Sequence, residues 1–90
     1  MTKQTLAKAK KHGLYLEIDT EESMLEIYAV DHDGEPWEEF LASYTINADG
    51  SLSYRGSCFS GDHDMPAWIE NERALQAFLP GFATIATSIS

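Results

Sequence analysis

Two Asp-His-Asp triplets stand out, Asp31-His32-Asp33 and Asp62-His63-Asp64. Carboxylate and imidazole groups are ligands for divalent metals. Neighbours on an extended chain point to opposite sides, so one triplet cannot aim all three side chains at one ion. Turn and cap chemistry accounts for these residues more simply. Asp33-Gly34 is a turn pair, and Asp64 before Met65-Pro66 has the form of a helix cap with proline in the first turn. A calcium loop begun at Asp31 would need Gly at its sixth position and Glu at its twelfth. The chain has Pro36 and Ala42 there. His32 and His63 are therefore expected in solvent-facing loops, with no metal and no cofactor.

Cys58 is the one thiol. It cannot form an internal disulfide, which fits a reducing compartment. A nucleophilic role with His32 or His63 as base would need a supporting motif. In Gly56-Ser57-Cys58-Phe59-Ser60-Gly61 the second glycine comes one place too late for a nucleophile elbow. Cys58 also falls in phase with Leu52, Tyr54 and Gly56, so a small buried hydrophobe is expected. The paired acids Glu21-Glu22 and Glu38-Glu39 have the residue types of glycosidase carboxyls, which need a cleft between them. A domain of 90 residues leaves little room for one. The chain is not expected to be an enzyme.

Charge is the strongest signal. The net charge is −9 over 90 residues, with 43% hydrophobic and 23% charged residues. That is the composition of one globular domain, too acidic to bind nucleic acid directly. Lys3, Lys8, Lys10 and Lys11 precede every acid in the chain. Ten acids then lie between Glu17 and Glu39, and no Lys or Arg occurs from 13 to 54. Lys8 interrupts the apolar run that a secretory signal would need, and no run is long enough for a membrane span. The expected location is the cytoplasm.

The elements that must carry these groups follow from periodicity. Residues 2–11 suit a basic helix, capped by Thr2, stopped by Gly13 and weakly anchored by Leu6. From 13 to 56 the period changes to two, which predicts a four-stranded antiparallel meander. Its strands are marked by Leu14, Leu16 and Ile18; by Leu25, Ile27 and Ala29; by Phe40, Ala42, Tyr44 and Ile46 over 38–47; and by Leu52 and Tyr54. A turn at 20–23 and the Asp-Gly pairs at 33–34 and 49–50 separate them. A loop over 57–64 leads to a helix over 65–79, ended by Pro80-Gly81. The uncharged tail, 80–90, alternates in a way that allows an edge strand. The fold class is thus α+β in a single domain, with one helix packed on the sheet. The expected core is Leu16, Ile18, Leu25, Ile27, Phe40, Tyr44, Ile46, Leu52, Trp68, Leu75 and Phe78.

An acidic body attracts a basic surface and fixes its orientation. Residues two apart on a strand are about 6.5–7 Å apart, near the spacing of phosphates on an extended nucleic acid, so Glu17, Asp19 and Glu21 could form a phosphate-like row. Trp37, Tyr15, Tyr28 and Phe59 would add an exposed aromatic surface. In size and charge alone the chain resembles small acidic phage proteins that block restriction or CRISPR enzymes, and acidic immunity proteins. The reading is a non-catalytic binding or inhibitor protein. Its partner would be a protein with a basic surface, nucleic-acid-binding enzymes among the candidates, without direct contact to nucleic acid or membrane. The expected contact residues are Tyr15, Glu17, Asp19, Glu21, Glu22, Glu26, Tyr28, Trp37, Glu38 and Glu39. Two alternatives stand beside it: a metal-binding or hydrolytic domain built on the Asp-His-Asp loops, and a structural subunit of a homo-oligomer such as a homodimer.

Overall fold

A computed structural model of the chain describes residues 1–59 and 65–89. The Asp62-His63-Asp64 triplet, including the expected Asp64 cap, lies outside the described residues. The element order is α1 (Lys3–Lys11), β1 (Leu14–Asp19), β2 (Met24–Ala29), β3 (Ala42–Ile46), β4 (Leu52–Gly56), β5 (Trp68–Ile69) and α2 (Glu72–Ile89). The strands form one antiparallel sheet in the order β1-β2-β3-β4-β5. Both helices join the same buried cluster, so they cover one face of the sheet.

Alternation in the strands decides that face. Leu14, Leu16 and Ile18 stand opposite Ala29, Ile27 and Leu25, and the row continues through Ala42, Tyr44 and Leu52 to Ile69. These side chains meet Leu75, Leu79, Phe82 and Ala86 of α2. Tyr44 is fully buried, and its hydroxyl donates to the Pro66 carbonyl at 2.8 Å. Turn chemistry sets the connections. Asp19 accepts from the N–H groups of Glu21 and Glu22, and Ser23 takes a left-handed φ of 49° to re-enter β2. Asp31 accepts from Asp33 and Glu35, and a bridge pairs Val30 with Pro36. The first Asp-His-Asp triplet is thus a turn, as its sequence suggests.

The α+β fold and its antiparallel meander match expectation, while several boundaries differ. A fifth strand forms at Trp68–Ile69, where a helix is expected. Tyr54 donates its N–H to Ala67, and Ile69 pairs with Leu52, so this segment extends the sheet edge. Helix α2 then starts at Glu72, with Asn71 accepting from the Ala74 N–H at 2.8 Å. It continues through Pro80-Gly81 to Ile89, so the tail is helical and makes no edge strand. Proline inside a helix costs about 3 kcal/mol. Burying Phe82 alone returns about 1.5–3 kcal/mol, with Ala86 and the half-buried Ile85 and Ile89 added to it. The apolar stripe therefore outweighs the local stop signal.

That extension shifts the core by one residue. Trp68 and Phe78, expected inside, are 55% and 40% exposed; Ile69, Leu79 and Phe82 are buried in their place. Ile18 and Ile46 are half-buried. Strand β3 begins at Ala42 rather than 38, and Phe40 lies before it, outside the buried cluster. Leu6 is 40% exposed, and α1 is anchored instead by Thr5 and Ala9, both fully buried.

Candidate partner-binding face

The uncovered face of the sheet carries the residues that alternate with the core set. Tyr15 stands opposite Tyr28, Glu17 opposite Glu26, and Asp19 opposite Met24. The row from Glu26 continues to Ser43, and that from Met24 to Thr45, Ser53 and Trp68. Both helices lie on the other side; Tyr15 and Glu17 are exposed, Met24, Glu26 and Tyr28 are half-buried, and Ser43 is buried.

At one end the face is aromatic. The rings of Tyr15 and Tyr28 are 6.1 Å apart, and Phe40 meets Tyr28 edge-on at 6.5 Å. At its centre Glu17 and Glu26 face each other directly across two strands. Like charges so placed repel, and no Lys or Arg occurs from 13 to 54 to neutralise them locally. The Tyr28 hydroxyl registers this field. Partial burial, followed by the charges of Glu26 and Glu17 and a hydrogen bond to Glu26, raises its pKa above the usual phenol value. The Cys58 sulfur adds to the same shift. A shallow recess of about 350 Å³, lined by Glu17, Asp19, Glu21 and Glu26 with Ile18 and Thr20, continues the acidic surface to the β1–β2 turn. Towards the far edge Arg55 of β4 donates to Thr45 Oγ1 at 3.2 Å, and Trp68 of the edge strand β5 is exposed.

The structure therefore gathers Tyr15, Glu17, Asp19, Glu26 and Tyr28 on one face and leaves Glu21 and Glu22 exposed in the adjoining turn. Glu38 and Glu39 are exposed next to Phe40 in the chain. Trp37 departs from expectation. It packs edge-on against Phe59, 5.6 Å away, and both lean on the core. Trp37 lines a recess with Ala83 and Ala86 of α2, on the helix side of the sheet. The expected phosphate-like row of three acids does not form either. Strand β1 ends at Asp19, whose carboxylate is engaged with the turn backbone, so Glu21 leaves the row.

Cys58 is exposed rather than buried, because the chain leaves β4 at Gly56 before the expected alternation reaches it. Phe40, Cys58 and Trp68 belong near or on the open face and were missed as contact residues. Phe40 alternates with Tyr44 in sequence, but the irregular segment before β3 breaks that phase. Among the described residues, no group of three or more His, Cys, Asp or Glu side chains could hold a metal ion. Among the same residues, no helix is long and apolar enough to cross a membrane. Comparison with family models, curated proteins and solved structures returns no match.

Proposed function

We propose that the chain is a non-catalytic binding module whose open sheet face docks a basic surface of a partner protein. One observation carries this reading: Glu17 and Glu26 oppose each other at the centre of the sheet face away from the helices, beside Tyr15, Tyr28 and Phe40. Such a pair destabilises the free protein slightly. A guanidinium or ammonium group between the two carboxylates would turn repulsion into two attractions. The neighbouring rings offer contact area and cation–π faces to the same side chains. A nucleic-acid-binding protein presents such basic surfaces. The exposed thiol of Cys58 fits a reducing compartment, the cytoplasm.

The test compares the wild-type chain with a Glu17→Gln, Glu26→Gln double variant. Each is immobilised, captured proteins are identified from lysate, and the affinity of a purified partner is measured as salt is raised. The variant should bind more weakly and respond less to salt, because exposed charges are screened over about 8 Å at physiological ionic strength. Equal affinity and an equal salt response would reduce the acidic face to a solvated surface.

A further inference from the structure

The outer edge of β1 offers a second kind of contact. Among the described residues, strand β1 is terminal in the sheet and has only β2 paired with it. The Val30 N–H donates to Gly13 at 3.0 Å, and the register places Gly13 opposite Val30. Antiparallel alternation then directs the N–H and C=O groups of Tyr15, Glu17 and Asp19 towards β2. Those of Leu14, Leu16 and Ile18 point away from the sheet. Strands left open in this way are usually blunted by proline, a bulge or lysine. Strand β1 is six residues of LYLEID, with no proline, no lysine and an unbroken register against β2. Its only charges are acidic, Glu17 and Asp19, both on the open face.

Beside this edge lies an apolar groove of about 590 Å³ between α1 and the start of the sheet. Leu6, Leu14, Leu16, Val30 and Pro36 line it, with Lys10 on the helix side. We infer that the β1 edge takes up an extended strand of a partner protein in which basic and apolar residues alternate. Its apolar side chains enter the groove under α1, and its Arg or Lys side chains cross the open face to Glu17, Asp19 and Glu26. The main chain pairs with Leu14, Leu16 and Ile18. This rests on the acidic-face reading for its charge preference and adds the mode of recognition. Charge complementarity selects the occupant. A second copy of this chain brings the same net charge of −9 and the same two acids to the edge, whereas a basic strand neutralises them.

The probe is an acetylated and amidated peptide of alternating valine and arginine. Two further peptides carry backbone N-methyl groups on all valines or on all arginines. Successive N–H groups of a strand point to opposite edges, so only one set can face β1. It is the valine set in antiparallel addition and the arginine set in parallel addition. The parent peptide should bind and slow hydrogen exchange at the amides of Leu16 and Ile18. N-methylation of one set should weaken binding at least about tenfold, while the other leaves it within about twofold. Binding that tolerates both sets equally, yet falls in the Glu17→Gln, Glu26→Gln variant, would overturn strand addition and keep the acidic face. No binding of the parent peptide would also overturn strand addition; the face is then judged by its captured partner. Sedimentation of the free chain as a dimer, with the Leu16 and Ile18 amides protected, would give the edge to a second copy instead.

Discussion

The hydroxyl of Thr5 donates to Glu72 Oε2 at 2.6 Å, joining α1 to the first turn of α2. The Thr2 hydroxyl donates to the same oxygen at 2.6 Å, and its backbone N–H lies within 3.3 Å of both carboxylate oxygens. Gln76 donates to Thr5 Oγ1, and Lys8 to Gln76 Oε1, which completes a polar seam between the helices. These hydrogen bonds, from Thr2 first and then Thr5, hold the Glu72 pKa below its usual value.

A depressed folded-state pKa stabilises the charged form. The Glu72 contribution is therefore fully present above about pH 4.5, its value in the unfolded chain, and is lost as pH falls through the lower folded value. Glu72→Gln should cost about 1 kcal/mol at pH 7, because solvent at the rim weakens the exchange. Urea unfolding at pH 7 and pH 3 reads both effects. The gap between wild type and variant should narrow at the lower pH; a constant gap would show that the carboxylate's charge is not what the seam uses.

Helix α2 makes opposite demands on two aromatic residues. Phe82→Ala should cost about 3–5 kcal/mol, because it empties a fully packed position. Phe78→Ala should cost under about 1 kcal/mol, since 40% of the residue is exposed. Pro80→Ala should stabilise the chain by about 1–2 kcal/mol by restoring a helical N–H donor, less the entropy the alanine chain recovers on unfolding. Thermal or urea melts decide. A destabilised Pro80→Ala, or equal losses at 78 and 82, would place the helix end near Leu79 after all.

The repulsion between Glu17 and Glu26 can be measured without any partner. Either single Glu→Gln change should raise stability by a few tenths of a kcal/mol, about 0.2–1 at most. The double variant should gain little more, since the repelling pair is already gone. Added salt should shrink the gain of the single variants. A loss of stability in both singles would mean that the pair holds the sheet together rather than straining it. Glu26→Gln should also move the Tyr28 phenol titration, followed by ultraviolet absorbance, towards its usual value.

Burial, with Tyr54 beside it, pushes the Tyr44 phenol upward, so the folded protein favours its neutral form. That contribution is fully present below about pH 10 and is lost as pH rises through the folded value. Tyr44→Phe removes the hydrogen bond to Pro66 and should cost about 1 kcal/mol near neutral pH. The variant should resist alkaline unfolding relative to its own neutral stability. A wild type whose stability is flat up to pH 11 would contradict this account.

Local chemistry was legible wherever it closes within a few residues. Thr2 caps α1, Gly13 with φ 74° ends it, and Asp31 folds its own turn. The alternation of Leu14, Leu16 and Ile18 against Tyr15, Glu17 and Asp19 assigned both faces of β1, because a strand has a period of two and an exposed acid cannot share the buried side. The acidic, aromatic character of the open face was legible on the same ground.

Only tertiary packing decided the rest. Pro80-Gly81 reads as a stop in any local window, yet a stripe of Leu75, Leu79, Phe82 and Ala86 continues the helix through it, because burial returns more than one proline costs. Trp68 and Ile69 favour strands but make too short a run to show a period of two; they extend because β4 presents open backbone groups to them. Trp37 turns to the helix side because Phe59 and α2 offer it apolar neighbours there. Glu72 could not be paired with Thr2 and Thr5 from sequence, since some seventy residues separate them and only the packing of α1 against α2 brings them within hydrogen-bond reach.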